Sequence, residues 1–235
     1  MTDSFIQPIK VGFGTMLASF YDSLVPMTTS VGLFQERGFG NSVAICPGRM
    51  IDDAEEMLKK WLKDDTGSPS PGSSLPAMLV AFGHDYNPTG RDFARQLTDS
   101  EFIRIGDDER VFALRTMASD QRVQVAIAAH DPATAKSIAA QLALFLDANR
   151  RFKATYFFAG HTIDWPVTIE LPDNPASEIK TGTKNLVLLA LDLNLKATIP
   201  IYRSPSDTEE NDGSGLMPPG FPVVLEVNDE NKVTL

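Results

Sequence analysis

The sequence predicts an α/β (α+β) fold, a mixed, largely antiparallel β-sheet packed against helices, with an extended C-terminal arm. Three observations predict it. Val123, Val125, Ile127 and Ala129 alternate with Gln124, Ala126 and Ala128, the period of two that marks a half-buried strand. Directly after it, Ile138, Leu142, Phe145 and Leu146 recur at helical spacing, with Ala135 and Ala139 widening the same stripe into a flat, close-packing edge. Further strand patterns follow at 152–158, 165–171 and 185–201, and the chain then turns into an acidic, Pro/Gly-rich tail.

The stretch from Val111 to Phe152 organises the rest. Val111–Met117 is rich in apolar and β-favouring residues, and Ser119-Asp120-Gln121 is a turn signal, so a hairpin is expected. Asp131 suits an N-cap, and Pro132 suits the first helical position, where a missing N–H costs nothing. Arg150 and Arg151 fall at the C-terminal end of the helix, where its dipole favours cations.

In chain order, Ile9, Phe13, Met16, Leu17, Phe20 and Leu24 give a first apolar helix that ends before Pro26. Its stripe reads as core. The other reading is packing on a neighbouring subunit, with Phe13, Leu17 and Phe20 as interface candidates. Val31 to Pro47 reads as two short strands joined by a turn at Arg37-Gly38-Phe39-Gly40-Asn41. Asp52 to Lys63 reads as a helix, with Glu55 three residues after Asp52 and Met57, Leu58, Trp61 and Leu62 on one face. Residues 64–74 have linker composition and read as a flexible loop. Leu75 to Phe82 reads as a strand broken at Tyr86–Gly90, Arg91 to Arg110 as a long inserted loop, and Pro172 to Thr183 as a loop.

Val167, Ile169 and Leu171 alternate with Thr168 and Glu170. Asn185 to Ile201 is apolar on both faces in its first half and alternating in its second, a strand that passes from full to half burial, with Pro200 at its end or on an edge. Residues 1–203 are expected to form the α/β domain. Ser204–Gly220, with three glycines, three prolines and Asp207, Glu209, Glu210 and Asp212, reads as an arm. Phe221, Val223 and Leu225 then begin a terminal strand that is expected to join a sheet edge, its own or a neighbour's, the neighbour being favoured.

Charge and composition narrow the function classes. The 235 residues are 43% hydrophobic, enough for a core, and carry a formal net charge of −10. Such a balance argues against a basic patch for nucleic acid and against docking on an anionic membrane. A single cysteine, Cys46, excludes an internal disulfide scaffold. Residues 1–10 show no signal-peptide pattern, and the longest apolar run, Leu186–Leu191, is too short to span a bilayer, so a soluble cytoplasmic protein is expected.

Signals for chemistry are thin. Gly12-Phe13-Gly14 and Gly38-Phe39-Gly40 lack the third glycine of a dinucleotide site. Cys46 has no basic neighbour nearer in sequence than Arg49 and reads as a small hydrophobe. His84-Asp85 and His130-Asp131 are His-Asp pairs at strand ends, and with His161 they spread three histidines over three segments, a poor metal set. No catalytic residue, cofactor or metal is expected.

The order of elements resembles that of the neck or tail-terminator proteins of contractile-tailed bacteriophages. Four stretches carry the resemblance: Val43–Trp61 with its Met57-Leu58-Lys59-Lys60-Trp61 end, Leu75–Asn87 with its Leu75-Pro76 start and Tyr86-Asn87 turn, Val111–Phe152, and Trp165–Tyr202. The resemblance implies a structural virion protein and no enzyme. It implies a homo-oligomer, a hexameric ring that caps the tail tube and sheath and meets the head connector, with DNA passing through its lumen unbound. An acidic lumen would repel phosphates and so keep DNA from sticking. The alternatives are another ring-forming tail component (tube-completion, collar or baseplate protein) and, from a different class, a small cytoplasmic enzyme or an adaptor acting through its acidic tail.

Overall fold

The computed structural model describes residues 6–46, 75–83, 87–88, 101–105, 110–158, 160–171, 176–179, 186–203 and 221–222. It is an α+β structure whose sheet is mixed and mostly antiparallel, in agreement with the expected class. The chain divides into two compact units. The first comprises Met1–Pro88, Ser119–Ala154 and Pro166–Ala197, and the second Thr89–Ala118, Thr155–Trp165 and Thr198–Leu235.

The first unit opens with α1 (Gln7–Asp22). Its apolar stripe is core: Phe13 is 0%, Leu17 2% and Phe20 1% exposed. Phe13 meets Phe82 edge-on at 5.9 Å and Phe152 at 6.0 Å, and Phe20 meets Phe145 at 5.6 Å. These three candidates have no surface left for a neighbour, which corrects their reading as an interface. The core took them because a continuous stripe of this width finds a sheet face and another helix within its own chain.

The two strands expected over Val31–Pro47 are instead α2 (Thr29–Glu36), α3 (Phe39–Ser42) and β1 (Val43–Cys46). Thr28 explains the first helix: its hydroxyl accepts from the Val31 amide at 3.2 Å, an N-cap that satisfies an orphan donor. Val31 and Phe34 then share one buried face. Gly38, at φ 82°, supplies the left-handed residue that lets α3 start at once. The Tyr21 hydroxyl donates to the Phe34 carbonyl, and Ser42 Oγ donates to the same carbonyl at 2.9 Å, so α1, α2 and α3 close on one buried polar point.

The strand order is β1, β2 (Ala77–Phe82), β5 (Arg110–Ala129), β9 (Val187–Arg203), β7 (His161–Glu170), β6 (Arg151–Phe158), and the last four each contribute residues to both units. β1 and β2 are parallel, with Ile45 opposite Val80, whereas β2 and β5 are antiparallel, with Val80 opposite Val125. A short strand, β3 (Asn87–Pro88), pairs with β5 at Asp120 and Ser119. Another, β8 (Ser177–Ile179), pairs with β9 where a loop was expected.

β5 corrects the central expectation. Ser119-Asp120-Gln121 does not turn, and one strand of 20 residues replaces the hairpin. Ser119 and Gln121 are both buried, and the Gln121 amide donates to Ser119 Oγ at 3.0 Å. The bond between the two side chains offsets part of their desolvation cost, so residues that signal a turn can sit inside a strand.

The helix that follows is as expected. α4 (Pro132–Ala148) begins at Asp131, whose carboxylate accepts from the Thr134 amide at 2.8 Å. Ile138, Leu142 and Leu146 are fully buried, as is Ala135. Arg150 lies just beyond the helix and pairs with Asp147. Gln141 holds the α1–α2 connection, accepting from the Val25 amide at 2.8 Å and donating to the Val25 carbonyl at 3.0 Å.

In the second unit, the start of β5 is flanked by β4 (Glu101–Arg104), with Ile103 opposite Phe112, where a loop was expected. β10 (Phe221–Pro222) also pairs with β5, Phe221 opposite Val111. At those two residues the chain joins its own sheet, which corrects the preference for a neighbour's there, and the rest of the expected terminal strand, from Val223, lies outside the described residues. Pro200 does not end β9, which continues to Arg203. The expected helix over Asp52–Lys63, the 64–74 loop, the Ser204–Gly220 arm, and Val223 and Leu225 lie outside the described residues.

Candidate functional site

The residues singled out for chemistry land apart. His130 is exposed in the bend after β5, and its neighbour Asp131 is occupied as a helix cap. The Thr134 amide, with help from the Thr134 hydroxyl, holds the Asp131 carboxyl below its ordinary range, because a hydrogen bond to the charged form favours it. His161 opens β7 in the second unit, and His84 lies outside the described residues. Cys46 packs, half-buried, against the cluster of Ala77, Leu79, Ala81, Ala126, Ala128 and Leu188. Burial pushes its thiol upward, the opposite of what a nucleophile needs. Among the described residues no group of three or more His, Cys, Asp or Glu side chains could hold a metal ion.

The glycines of Gly12-Phe13-Gly14 serve packing in one case and openness in the other. A Cβ at Gly12 would collide with the Lys153 carbonyl and stand 2.8 Å from the Phe152 ring, so Gly12 is what lets α1 approach β6. A Cβ at Gly14 would meet nothing within 4 Å. Gly14 costs α1 roughly 1 kcal/mol of helix propensity relative to alanine, and among the described residues no contact requires it.

Gly14 lies in a groove of about 270 Å³ in the first unit. Lys10, Val11 and Gly14 form its α1 wall, since residues three and four apart share a helix face. Ile45, Cys46 and Phe82 form its sheet wall. Val11 is 58% and Ile45 61% exposed, large apolar side chains left in water on either side. Lys10 Nζ stands 5.3 Å from the centre of the Phe82 ring, a cation at the rim. β1 closes the groove as the outermost strand of its sheet, with β2 as its partner among the described residues.

Other apolar side chains are exposed among the described residues. In the first unit Met27 and Leu33 stand exposed beside Pro26, Gly32 and Glu36. In the second, Phe158 stacks on Tyr202 at 5.0 Å and 19°, and Trp165 Nε1 donates to the Tyr202 hydroxyl at 2.7 Å. Their chain neighbours Phe157 and Ile201 therefore point to the other face of the sheet, and both are exposed.

Sequence reasoning found the stripe of α1 and missed the groove beside it. The available signal was Val11 and Gly14, which fall off the stripe that Ile9, Phe13, Leu17 and Phe20 define. No helix among the described residues is long and apolar enough to cross a membrane. No protein-family model matches the chain, and no curated protein matches it in sequence.

Proposed function

We propose that this chain is a structural virion protein, the ring-forming tail terminator or neck subunit of a contractile-tailed bacteriophage, capping tail tube and sheath and joining tail to head. The observation that carries the reading is the apolar groove between α1 and β1, where Val11 and Ile45 stand in water around a helical glycine that no contact among the described residues requires. Water-exposed apolar walls around an open helix position suit a surface that another chain covers. Element order gives partial support: β2, α4 and the β7–β9 pairing fall in the stretches where the resemblance expects a strand, a long helix and a closing strand pair, whereas the single strand β5 stands in place of its hairpin. The formal charge of −10 suits a ring around a DNA conduit, because like charge keeps phosphates from adhering.

In this role the work is done by contacts between copies and with the tail tube, the sheath and the head connector, and DNA passes without specific binding. Negative-stain images of the purified protein test it. Closed rings with six-fold symmetry are expected, and featureless monomers at every concentration would return the chain to the adaptor or enzyme class.

A further inference from the structure

The groove has an occupant of definable chemistry. It offers two apolar walls, Val11 and Ile45, a floor left open at Gly14, and a single cation, Lys10, at its rim. A segment that fits must be narrow, apolar along one side and acidic at one end. The chain carries such a pattern after β10: Val223, Leu225, Val227 and Asp229 fall at alternate positions, which an extended strand places on one side. Three apolar side chains followed by one carboxylate complement two apolar walls followed by one ammonium. β1, the outermost strand of its sheet among the described residues, adds a backbone edge of the kind an added strand pairs with.

We infer that the groove takes the segment Val223–Asp229 of a second copy of this chain, with Leu225 seated over Gly14 between Val11 and Ile45 and Asp229 directed to Lys10. The donor segment and the acceptor groove are different patches, so the contact is heterologous. Repeated from copy to copy it runs head to tail, and a rotation that closes gives a ring. The inference rests on the ring reading above and names its joint. Gly14 then has a reason: a side chain there would fill the space that the incoming Leu225 needs.

The single native cysteine makes the test specific. Cys46 lines the groove and is the only thiol in the sequence. Leu225→Cys in the full-length protein, oxidised with diamide at mildly alkaline pH, is expected to give a ladder of disulfide-linked multimers on a non-reducing gel. Peptide mapping should join position 225 to Cys46, and adding Cys46→Ser should abolish the ladder. Gly14→Leu is the second arm. It should leave thermal unfolding unlowered, because a Cβ there meets nothing within 4 Å among the described residues and the side chain extends into the open groove, while shifting the light-scattering mass to monomer. A link formed within one chain, no link in a protein that still forms rings, or wild-type assembly by Gly14→Leu each overturns the inference and leaves the ring reading standing. A wild-type protein that never assembles overturns both.

Discussion

β5 is one strand packed in two ways, and the difference separates what this chain uses for stability from what it leaves for contact. In the first unit, Val125 to Ala129 are buried without interruption, facing an equally buried β2. Small and branched side chains fill both faces, as in sheets covered on both sides. In the second unit, packing is aromatic and one-sided. Phe112 meets Phe158 edge-on at 5.4 Å, Phe158 stacks on Tyr202, and Phe157, at 76% exposure, remains on the opposite face. A sheet sealed on both faces holds the fold, whereas faces and grooves left apolar and open are where further chains can bind.

The sharpest way to break this contrast is to remove one ring from each region. Phe13→Ala takes a fully buried ring from between Phe82 and Phe152, and a loss of about 3–5 kcal/mol in denaturant unfolding is expected. Phe157→Ala should stay within about 0.5 kcal/mol. Equal losses would erase the distinction. The same logic applies to two glycines a half-turn apart on α1. Gly12→Ala forces a methyl group into the Lys153 carbonyl and the Phe152 ring and should cost about 1–3 kcal/mol. Gly14→Ala meets open space and should raise stability by about 0.5–1 kcal/mol.

Ionisation gives a finer probe of each region. Burial, with Tyr202 nearby adding to it, pushes the Tyr156 hydroxyl up to about 12. A raised value favours the neutral form in the folded state, so this contribution is complete below the unfolded value, about 10, and is lost as pH climbs towards 12. Burial also raises the Tyr202 hydroxyl, so absorbance titration should show more than one late phenol, with the one near 12 missing in Tyr156→Phe. In the first unit the sign is reversed. The Asp131 carboxyl is held low by the Thr134 amide, so its contribution is present above the unfolded carboxylate value and is lost as pH falls through the folded one. Asp131→Asn keeps an N-cap oxygen while removing the charge. Acid unfolding of that variant should lose part of its pH dependence with little change at neutral pH, and unchanged pH dependence would remove the carboxylate from the account.

The same two regions show what the amino-acid pattern could and could not convey. Periodicity disclosed α1, the second half of β5, α4 and the passage of β9 from full to half burial, because burial there repeats with the period of the element. It failed at Ser119–Gln121, where a mutual hydrogen bond hides two polar residues inside a strand, and at Thr29–Glu36, where the capping Thr28 decides for helix over a β-favouring composition. The groove was illegible for a different reason. It is made of residues from α1, β1 and β2 that only the parallel β1–β2 pairing brings together, and its most telling member, Gly14, signals by lacking a contact.

The central claim is assembly, and sedimentation velocity of the purified full-length protein over a wide concentration range tests it most directly. The account predicts one discrete species at six times the chain mass, reduced to a folded monomer by Gly14→Leu. A single monomeric boundary for the wild-type protein at every concentration would contradict it.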